Sequence, residues 1–283
     1  RAAKVAGSRF YYMKNDLVLL ELSLIRFVID ELSKKGFIPI SPPNMMRKEY
    51  YKSVTSLADF EEALYKITDP KESQSNPNLE QINEELFLIS TSEHPIAAMH
   101  SDEVFSGNQL PLKYAGISPC FRREAGSHGK DTKGIFRVHQ FYKIEQFIFS
   151  KKEDSEFYFN ELLNNSEQLF KKLQIPYRVV NICTGDIGIV AAKKNDIEAY
   201  MPIQKEYREV VSCSNCTDWQ SLRLNIRYDE KNERKYVHTL NSTGLATTRT
   251  IVAIVENYLN DDGSISIPDV LIPYFGKSKI TKN

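Results

Sequence analysis

Residues 120–145 read CFRREAGSHGKDTKGIFRVHQFYKIE. An apolar run leads into Phe121-Arg122-Arg123-Glu124, a polar loop spans Ser127 to Gly134, and Phe136-Arg137-Val138-His139-Gln140-Phe141 brings the chain back. The pattern predicts two strands joined by a glycine-rich turn, the second extended at Ile135 to Val138 and again at Tyr142 to Phe149. Guanidinium groups at the strand ends would then stand over one face of a sheet. Arginine suits phosphate or carboxylate because its planar fork bonds two oxygens at once and never loses its charge. The competing reading is a hairpin whose Arg and Glu side chains are solvated and paired with one another. Against it, Arg122, Glu124 and Arg137 lie in otherwise apolar segments, where unpaired charge is expensive.

Strand patterns recur on both sides of this stretch, at Leu86 to Ile89, Leu112 to Gly116, Tyr177 to Asn181, Ile197 to Met201 and Tyr207 to Ser212. Helices are expected at Asp59 to Tyr65, Pro95 to Phe105, Lys152 to Leu173 and Leu245 to Leu259. The polar stretch Asp69 to Glu85 reads as an exposed loop inside one sheet. Near the start, Leu17, Leu20, Leu24, Phe27, Val28 and Leu32 give Asp16 to Lys35 a broad apolar helical stripe, which Gly36 stops. Phe37 to Ile40 then makes a short strand closed by Pro42 and Pro43. Strands outnumber helices and several follow one another directly. The expected fold is α+β, a mostly antiparallel sheet flanked by helices, as one domain over residues 1–283.

Composition narrows the function. The 283 residues carry 37 Lys+Arg against 37 Asp+Glu, so a protein that grips nucleic acid through a general basic excess is excluded. No apolar run approaches the roughly 20 residues of a membrane span, and the first ten residues hold no signal-peptide core, so the chain reads as cytosolic. Four cysteines are too few for a disulfide scaffold at this length. No phosphate-cradling glycine loop or dinucleotide fingerprint occurs, so any bound phosphate falls to side-chain cations.

Two more segments bear chemistry. Glu209-Val210-Val211-Ser212 offers two oxygen ligands for a divalent ion carrying a nucleotide, in keeping with the preference of Mg²⁺ for few carboxylates plus phosphate; an ordinary strand-end Glu is the alternative. Cys213 and Cys216 form a C-x-x-C unit, but Cys120, Cys183 and five scattered His supply no second matching pair. Two buried structural cysteines are therefore expected, with zinc as the lesser alternative. Finally, His238-Thr239-Leu240-Asn241-Ser242-Thr243-Gly244 precedes Leu245-Ala246-Thr247-Thr248-Arg249 and an apolar run to Tyr258. The small polar residues read as a cap cluster ahead of a helix, Gly244 as a point of tight approach, and Arg249 as a cation in the first turns.

Taken in order, these pieces resemble the three signature motifs of class II aminoacyl-tRNA synthetases, and in detail the seryl family. The helix and strand ending at Pro43 resemble motif 1, residues 120–145 motif 2, and HTLNSTGLATTRTIVAIVENY (residues 238–258) motif 3. TSEHP from Thr91 and EVVSCSNCTDWQ from Glu209 also match. The resemblance covers nearly the whole chain. It implies an antiparallel sheet flanked by helices, a homodimer formed through Asp16 to Pro43, and two-step charging of L-serine onto tRNA(Ser) with ATP and Mg²⁺.

Carried over residue by residue, the resemblance gives Arg122 the α-phosphate and the serine carboxylate side, with Arg123 beside it. Glu124 would contact the adenine end, Phe141 would stack on adenine next to Val138, and Arg249 would cover adenine's other face and meet the γ-phosphate. Glu209 and Ser212, flanking Val210 and Val211, would hold Mg²⁺. Thr91 and Glu93 would take the serine ammonium, and Glu145 would accept a hydrogen bond from its hydroxyl. Thr243 stands where many relatives have Ser, and Ser242 where the family's usual residue is Gly.

Members of that family usually begin with a long coiled-coil arm that grips tRNA. Here motif 1 begins within the first 40 or so residues, after RAAKVAGSRFYYMKN, and no heptad stretch of that kind is found. The expectation is a catalytic core without the arm. Two other readings stay open: a ligase of the same fold that loads an amino acid onto a carrier protein with a zinc site, and a non-catalytic paralogue acting as a binding module.

Overall fold

A computed structural model describes residues 1–56, 61–67, 85–124, 131 and 133–281. The helix α1 (Asp16–Ser33) buries Leu20, Leu24, Phe27, Val28 and Leu32, one face at 3-, 4- and 7-residue spacing. Its chain turns at Gly36, whose φ of 83° lies in the left-handed region that glycine tolerates.

Seven strands form the central sheet: β1 (Ile38–Ile40), β2 (Leu112–Phe121), β3 (Gln140–Ser150), β4 (Tyr177–Asn181), β5 (Lys193–Met201), β6 (Glu206–Asn215) and β7 (His238–Ala246). Their spatial order is β1-β2-β3-β7-β6-β5-β4. Only the β1–β2 pair is parallel; the other pairs are antiparallel, as the α+β expectation requires. Among the described residues three smaller sheets accompany it: one joins Met45–Arg47, Leu86–Leu88 and Lys66–Ile67, another Val104–Ser106, Arg227–Glu230 and Glu233–Tyr236, and the third is the antiparallel pair Ile265–Ser266 and Lys279–Ile280.

Side-chain alternation splits the sheet into two faces. On β3, Ile144 and Ile148 enter the large core with α1, the helix Ser155–Lys172 and the helix Thr247–Asn257. Phe147 and Phe149 join a second core on the opposite face, with Tyr51, Phe87 and Tyr228. Lys143 and Glu145, on that same opposite face, border a cavity.

Several sequence expectations need correction. Ile135 to Val138 is irregular, not a strand, and Arg122, Arg123 and Glu124 lie beyond the end of β2. The arginines are therefore held by specific contacts outside the sheet rather than by strand geometry. The helix expected from Pro95 to Phe105 is the shorter Glu93–Ala98, and Val104–Ser106 is a strand instead. The cap cluster expected at His238 to Gly244 is the nine-residue strand β7, every residue of it buried, and the following helix starts at Thr247 with no side-chain cap. Burial of a central strand on both faces of the sheet outweighs the capping tendency of small polar residues. Of the helix expected at Asp59 to Tyr65, the described part is a short 3₁₀ turn, Glu61–Ala63. The Asp69–Glu85 loop, except Glu85, and most of Ser127–Gly134 lie outside the described residues.

Candidate active site

A cavity of about 590 Å³ opens on the sheet between the ends of β2 and β3 and the strands β5, β6 and β7. Of the residues singled out in the sequence, Thr91, Glu93, Arg122, Glu124, Phe141, Glu145, Glu209, Ser212, Thr243 and Arg249 line it. Arg123, Val138, Val210 and Val211 do not: Val138 is buried, Val210 and Val211 belong to the large core, and the Arg123 backbone N–H bonds Ala63 O at 2.9 Å.

Two bulges build this wall. Residues three apart on a regular strand face opposite sides, yet Glu209 and Ser212 both reach the cavity. The register of β6 against β5 shifts between Glu209 and Val211, and the extra residue turns both valines into the core. The register of β7 against β3 shifts likewise between Thr243 and Leu245, so Thr243 and Ala246 both line the cavity. Gly244 occupies that shift because a Cβ there would stand 3.2 Å from Ile144 O. Ser242 has no left-handed backbone and points to the helix side, its Oγ 3.2 Å from Ser166 Oγ.

At one end cations gather. The Arg122 guanidinium lies 5.3 Å from the Phe141 ring centre, and Nε donates to Ser90 O at 3.4 Å. Its backbone is pinned by His139, whose carbonyl accepts the Arg122 N–H at 2.9 Å and whose Nδ1 is 2.8 Å from Arg122 O. Arg137 Nη1 donates to Glu124 Oε2 at 2.8 Å. Arg249 Nη1 donates to the Glu209 carbonyl at 2.9 Å and to Glu209 Oε1 at 3.1 Å. Burial pushes the Arg249 guanidinium below its ordinary value, and Arg122 and Arg137 push further while Glu209 opposes. Surrounding protein pushes the Glu209 carboxyl up, but Arg249, Arg122 and Lys194 outweigh it and keep it ionised.

At the other end carboxylates gather. Lys143 and Glu145 form a buried ion pair, and Thr243 Oγ1 donates to Glu145 Oε2 at 3.5 Å. Burial pushes the Glu145 carboxyl up, with Lys143 the main opposing charge. Glu93 follows Thr91, whose Oγ1 accepts the Glu93 N–H at 3.2 Å. Burial, then Glu145, raises the Glu93 carboxyl to about 7 against the pull of Lys143, Gln220 and Arg122. Ser92 and Ile96 lie close over Gly116 of β2, which is how this segment comes near enough to the sheet.

Cys213 and Cys216 are buried, as expected of structural cysteines. Cys213 Sγ contacts Phe159 O at 3.8 Å, and Asn241 Nδ2 donates to Cys216 Sγ at 3.5 Å. Among the residues lining the cavity that the sequence reading does not assign to the site, three are lysine or arginine: Arg137, which it gives only as a hairpin cation, Lys143 and Lys194. Lys143 was legible, two residues before Glu145 on one strand and hence on the same face.

The chain matches the family model described as tRNA synthetase class II core domain (G, H, P, S and T) over residues 77–258. A serine–tRNA ligase from Thermococcus sibiricus is 57% identical over 282 residues, 99% of this chain and 59% of the relative. The crystal structure of seryl-tRNA synthetase from Pyrococcus horikoshii complexed with ATP superposes with a TM-score of 0.93 at 55% identity, covering 100% of this chain and 61% of that one. The cytoplasmic serine–tRNA ligase from Naegleria fowleri, solved with AMP, gives 0.91 at 47% identity, over 100% of this chain and 64% of that one. The chain thus spans about six-tenths of the length of these relatives. With the matched core, the antiparallel sheet and the arginine-lined cavity in agreement, the chain belongs to the class II tRNA synthetase family.

Proposed function

We propose that this chain is the catalytic core of a serine–tRNA ligase, which joins L-serine to ATP as seryl-adenylate with release of pyrophosphate and then transfers the seryl group to the 3′ end of tRNA(Ser). One observation carries the reading: the guanidinium-bearing residues Arg122, Arg137 and Arg249, brought from three separate stretches of the chain, line one cavity. Three guanidiniums bordering one cavity suit a polyanion, and a triphosphate is the matching one.

The reaction needs no protein nucleophile. The serine carboxylate attacks the α-phosphorus, and pyrophosphate leaves. Arg122 holds the α-phosphate and the serine carboxylate, Arg249 meets the γ-phosphate, and Phe141 and Glu124 receive adenine, an alignment of two anions that is most of the catalysis. Glu209 and Ser212 suit Mg²⁺: the ionised, half-exposed carboxylate and a hydroxyl share one wall, and phosphate oxygens would complete the shell. That ion would offset charge on the phosphates.

At the carboxylate end Thr91 and Glu93 take the serine ammonium and Glu145 its hydroxyl. Alanine would leave Glu145 without its substrate partner, the kind of loss that separates substrates by several powers of ten. Val18, Leu19 and Leu22 of α1 and Ile38 of β1 are exposed apolar side chains, which supports pairing of two copies through Asp16 to Pro43. No helix among the described residues is long and apolar enough to cross a membrane, and a cytoplasmic setting fits this chemistry.

The test is serine-dependent ATP–pyrophosphate exchange by the purified chain, with Arg122→Ala and Glu145→Ala nearly inactive. Absence of exchange with serine at every magnesium concentration would overturn the reading.

A further inference from the structure

Gln220 sits in the short helix Trp219–Leu224, fully buried behind the cavity wall. Its Nε2 donates to Glu93 Oε1 at 2.9 Å and to the Val54 carbonyl at 3.1 Å, and its Oε1 accepts from Thr239 Oγ1 at 2.7 Å. The direction of this amide is fixed by chemistry. A backbone carbonyl can only accept, so the atom facing Val54 is the nitrogen, and its two hydrogens are then divided between Val54 and Glu93. Thr239, buried on β7, supplies the hydrogen for the remaining oxygen. Turning the amide over would set oxygen against both the Val54 carbonyl and the Glu93 carboxylate, leaving buried acceptors without donors.

This clamp engages one oxygen of Glu93 and leaves the other without a protein hydrogen bond among the described residues. The charges facing Glu93 are Glu145 and Lys143 from β3 and Arg122 from the end of β2, with Cys216 also near. Its sequence neighbour His94 is buried and held neutral. Burial and Glu145 favour the protonated acid; Lys143, the Gln220 N–H and Arg122 favour the carboxylate. Only Gln220 in that set grips the carboxylate by a hydrogen bond.

We infer that Gln220, braced by Thr239, is a positioning residue that aims the free oxygen of Glu93 into the cavity as a carboxylate and so selects substrates bearing an ammonium next to their carboxylate. The inference rests on the reading of Glu93 as the ammonium partner given above. Gln220 touches no substrate itself. Its neighbour Lys143 cannot do the same work, because it is committed to Glu145.

The experiment compares the parent chain with Gln220→Met, which keeps length and loses the donor, Gln220→Glu, and Glu93→Gln. For Gln220→Met the serine KM in pyrophosphate exchange rises about 10- to 100-fold, the worth of a hydrogen bond to a charged group, while the ATP KM stays within about twofold. The acid limb of kcat/KM for serine moves to higher pH, since Glu93 protonates more readily. Gln220→Glu, which brings a second carboxyl against Glu93, is at least as impaired at neutral pH. Binding gives a second readout: a sulfamoyl analogue of seryl-adenylate and its deaminated counterpart are compared, and Gln220→Met narrows the preference for the amino form.

Should Gln220→Met not fold, Thr239→Val removes the brace alone and shows the same shifts at smaller size. Equal rises in the serine and ATP KM, an unmoved acid limb and an unchanged analogue preference would overturn the inference and make Gln220 a packing residue. A parent chain without exchange, or a Glu93→Gln variant that binds both analogues as the parent does, would instead overturn the reading of the site.

Discussion

Lys143 Nζ lies 2.5 Å from Glu145 Oε2, with the two side chains only 8% and 2% exposed. Thr243 Oγ1 reaches the same oxygen, so Oε2 carries the internal contacts, and Oε1 has no hydrogen bond among the described residues. Lys143→Met would bury Glu145 with its main cation gone. The expected loss is about 3–5 kcal/mol of stability, the usual result of removing one partner of a buried pair. Serine-dependent exchange should fall sharply with it, because a protonated Glu145 is a weaker acceptor for the serine hydroxyl than the carboxylate and can present an O–H donor instead. Urea unfolding of Lys143→Met, Glu145→Gln and the double variant checks this. The double variant should recover most of the stability and none of the exchange, whereas additive losses would show that the pair is not coupled.

Gly116 governs the distance from the sheet to the Thr91–Glu93 segment. A Cβ there would stand 2.5 Å from Ile96 Cδ1, 2.6 Å from Ser92 Oγ and 2.9 Å from Ser92 Cβ. Gly116→Ala must therefore push Ser92 and the helix Glu93–Ala98 outward, at about 1–3 kcal/mol for overpacking. The serine KM should rise far more than the ATP KM, since the arginine end is held by other elements. Steady-state kinetics with each substrate varied in turn reads the difference.

The strongly periodic parts of this fold were legible before the structure. Leu20, Leu24, Phe27, Val28 and Leu32 announce α1, and the boundaries of β4 agree residue for residue. The bulges were not. Glu209 and Ser212, like Thr243 and Ala246, are three apart, and alternation alone assigns such pairs to opposite faces; only the register shifts at Val210 and Gly244 bring them together. β7 was hidden for a related reason: Thr239, Asn241 and Thr243 are polar because they face the second face of the sheet, two of them lining the cavity, and a polar face on a buried strand looks like a capping run. Gln220 ends the stretch EVVSCSNCTDWQ that begins at Glu209, but nothing local in the sequence tells that its amide reaches Glu93 from another element.

Asp131 ties the segment after β2 to β6. Both its oxygens accept from Arg208 Nη2 at 2.7 Å, and Oδ2 also accepts from Arg137 Nε at 3.4 Å. Arg208 lies 4.1 Å and Arg249 5.0 Å from the Phe136 ring centre, so this one ring borders two guanidiniums. Burial raises the Asp131 carboxyl, but Arg208 and Arg137 hold it below its ordinary value. Arg208→Gln should loosen Arg137 and raise the ATP KM several-fold while sparing the serine KM. A thermal-stability cycle with Asp131→Asn should show coupling of about 1.5–3 kcal/mol, the range for hydrogen bonds to charged groups. A coupling near zero would mean that the contact is solvated.

Glu93 and His94 are adjacent and titrate in opposite senses. Burial raises the Glu93 carboxyl from 4.5 to about 7, so the folded protein binds that proton more tightly than the unfolded chain does. Its contribution to stability is whole below pH 4.5 and is lost as pH rises toward 7. His94 Nδ1 is buried without a hydrogen-bond partner, and burial, Lys143 and Arg122 lower the ring from 6.5 to about 3. Its contribution is whole above 6.5 and is lost as pH falls toward 3. Between pH 7 and pH 5 the two nearly cancel, each being worth on the order of 2 kcal/mol at 1.36 kcal/mol per unit. Unfolding midpoints at both pH values separate them: Glu93→Gln should lose more stability than the parent on acidification, and His94→Asn should lose less or gain. Equal pH dependence in all three proteins would show that neither group is perturbed in the fold.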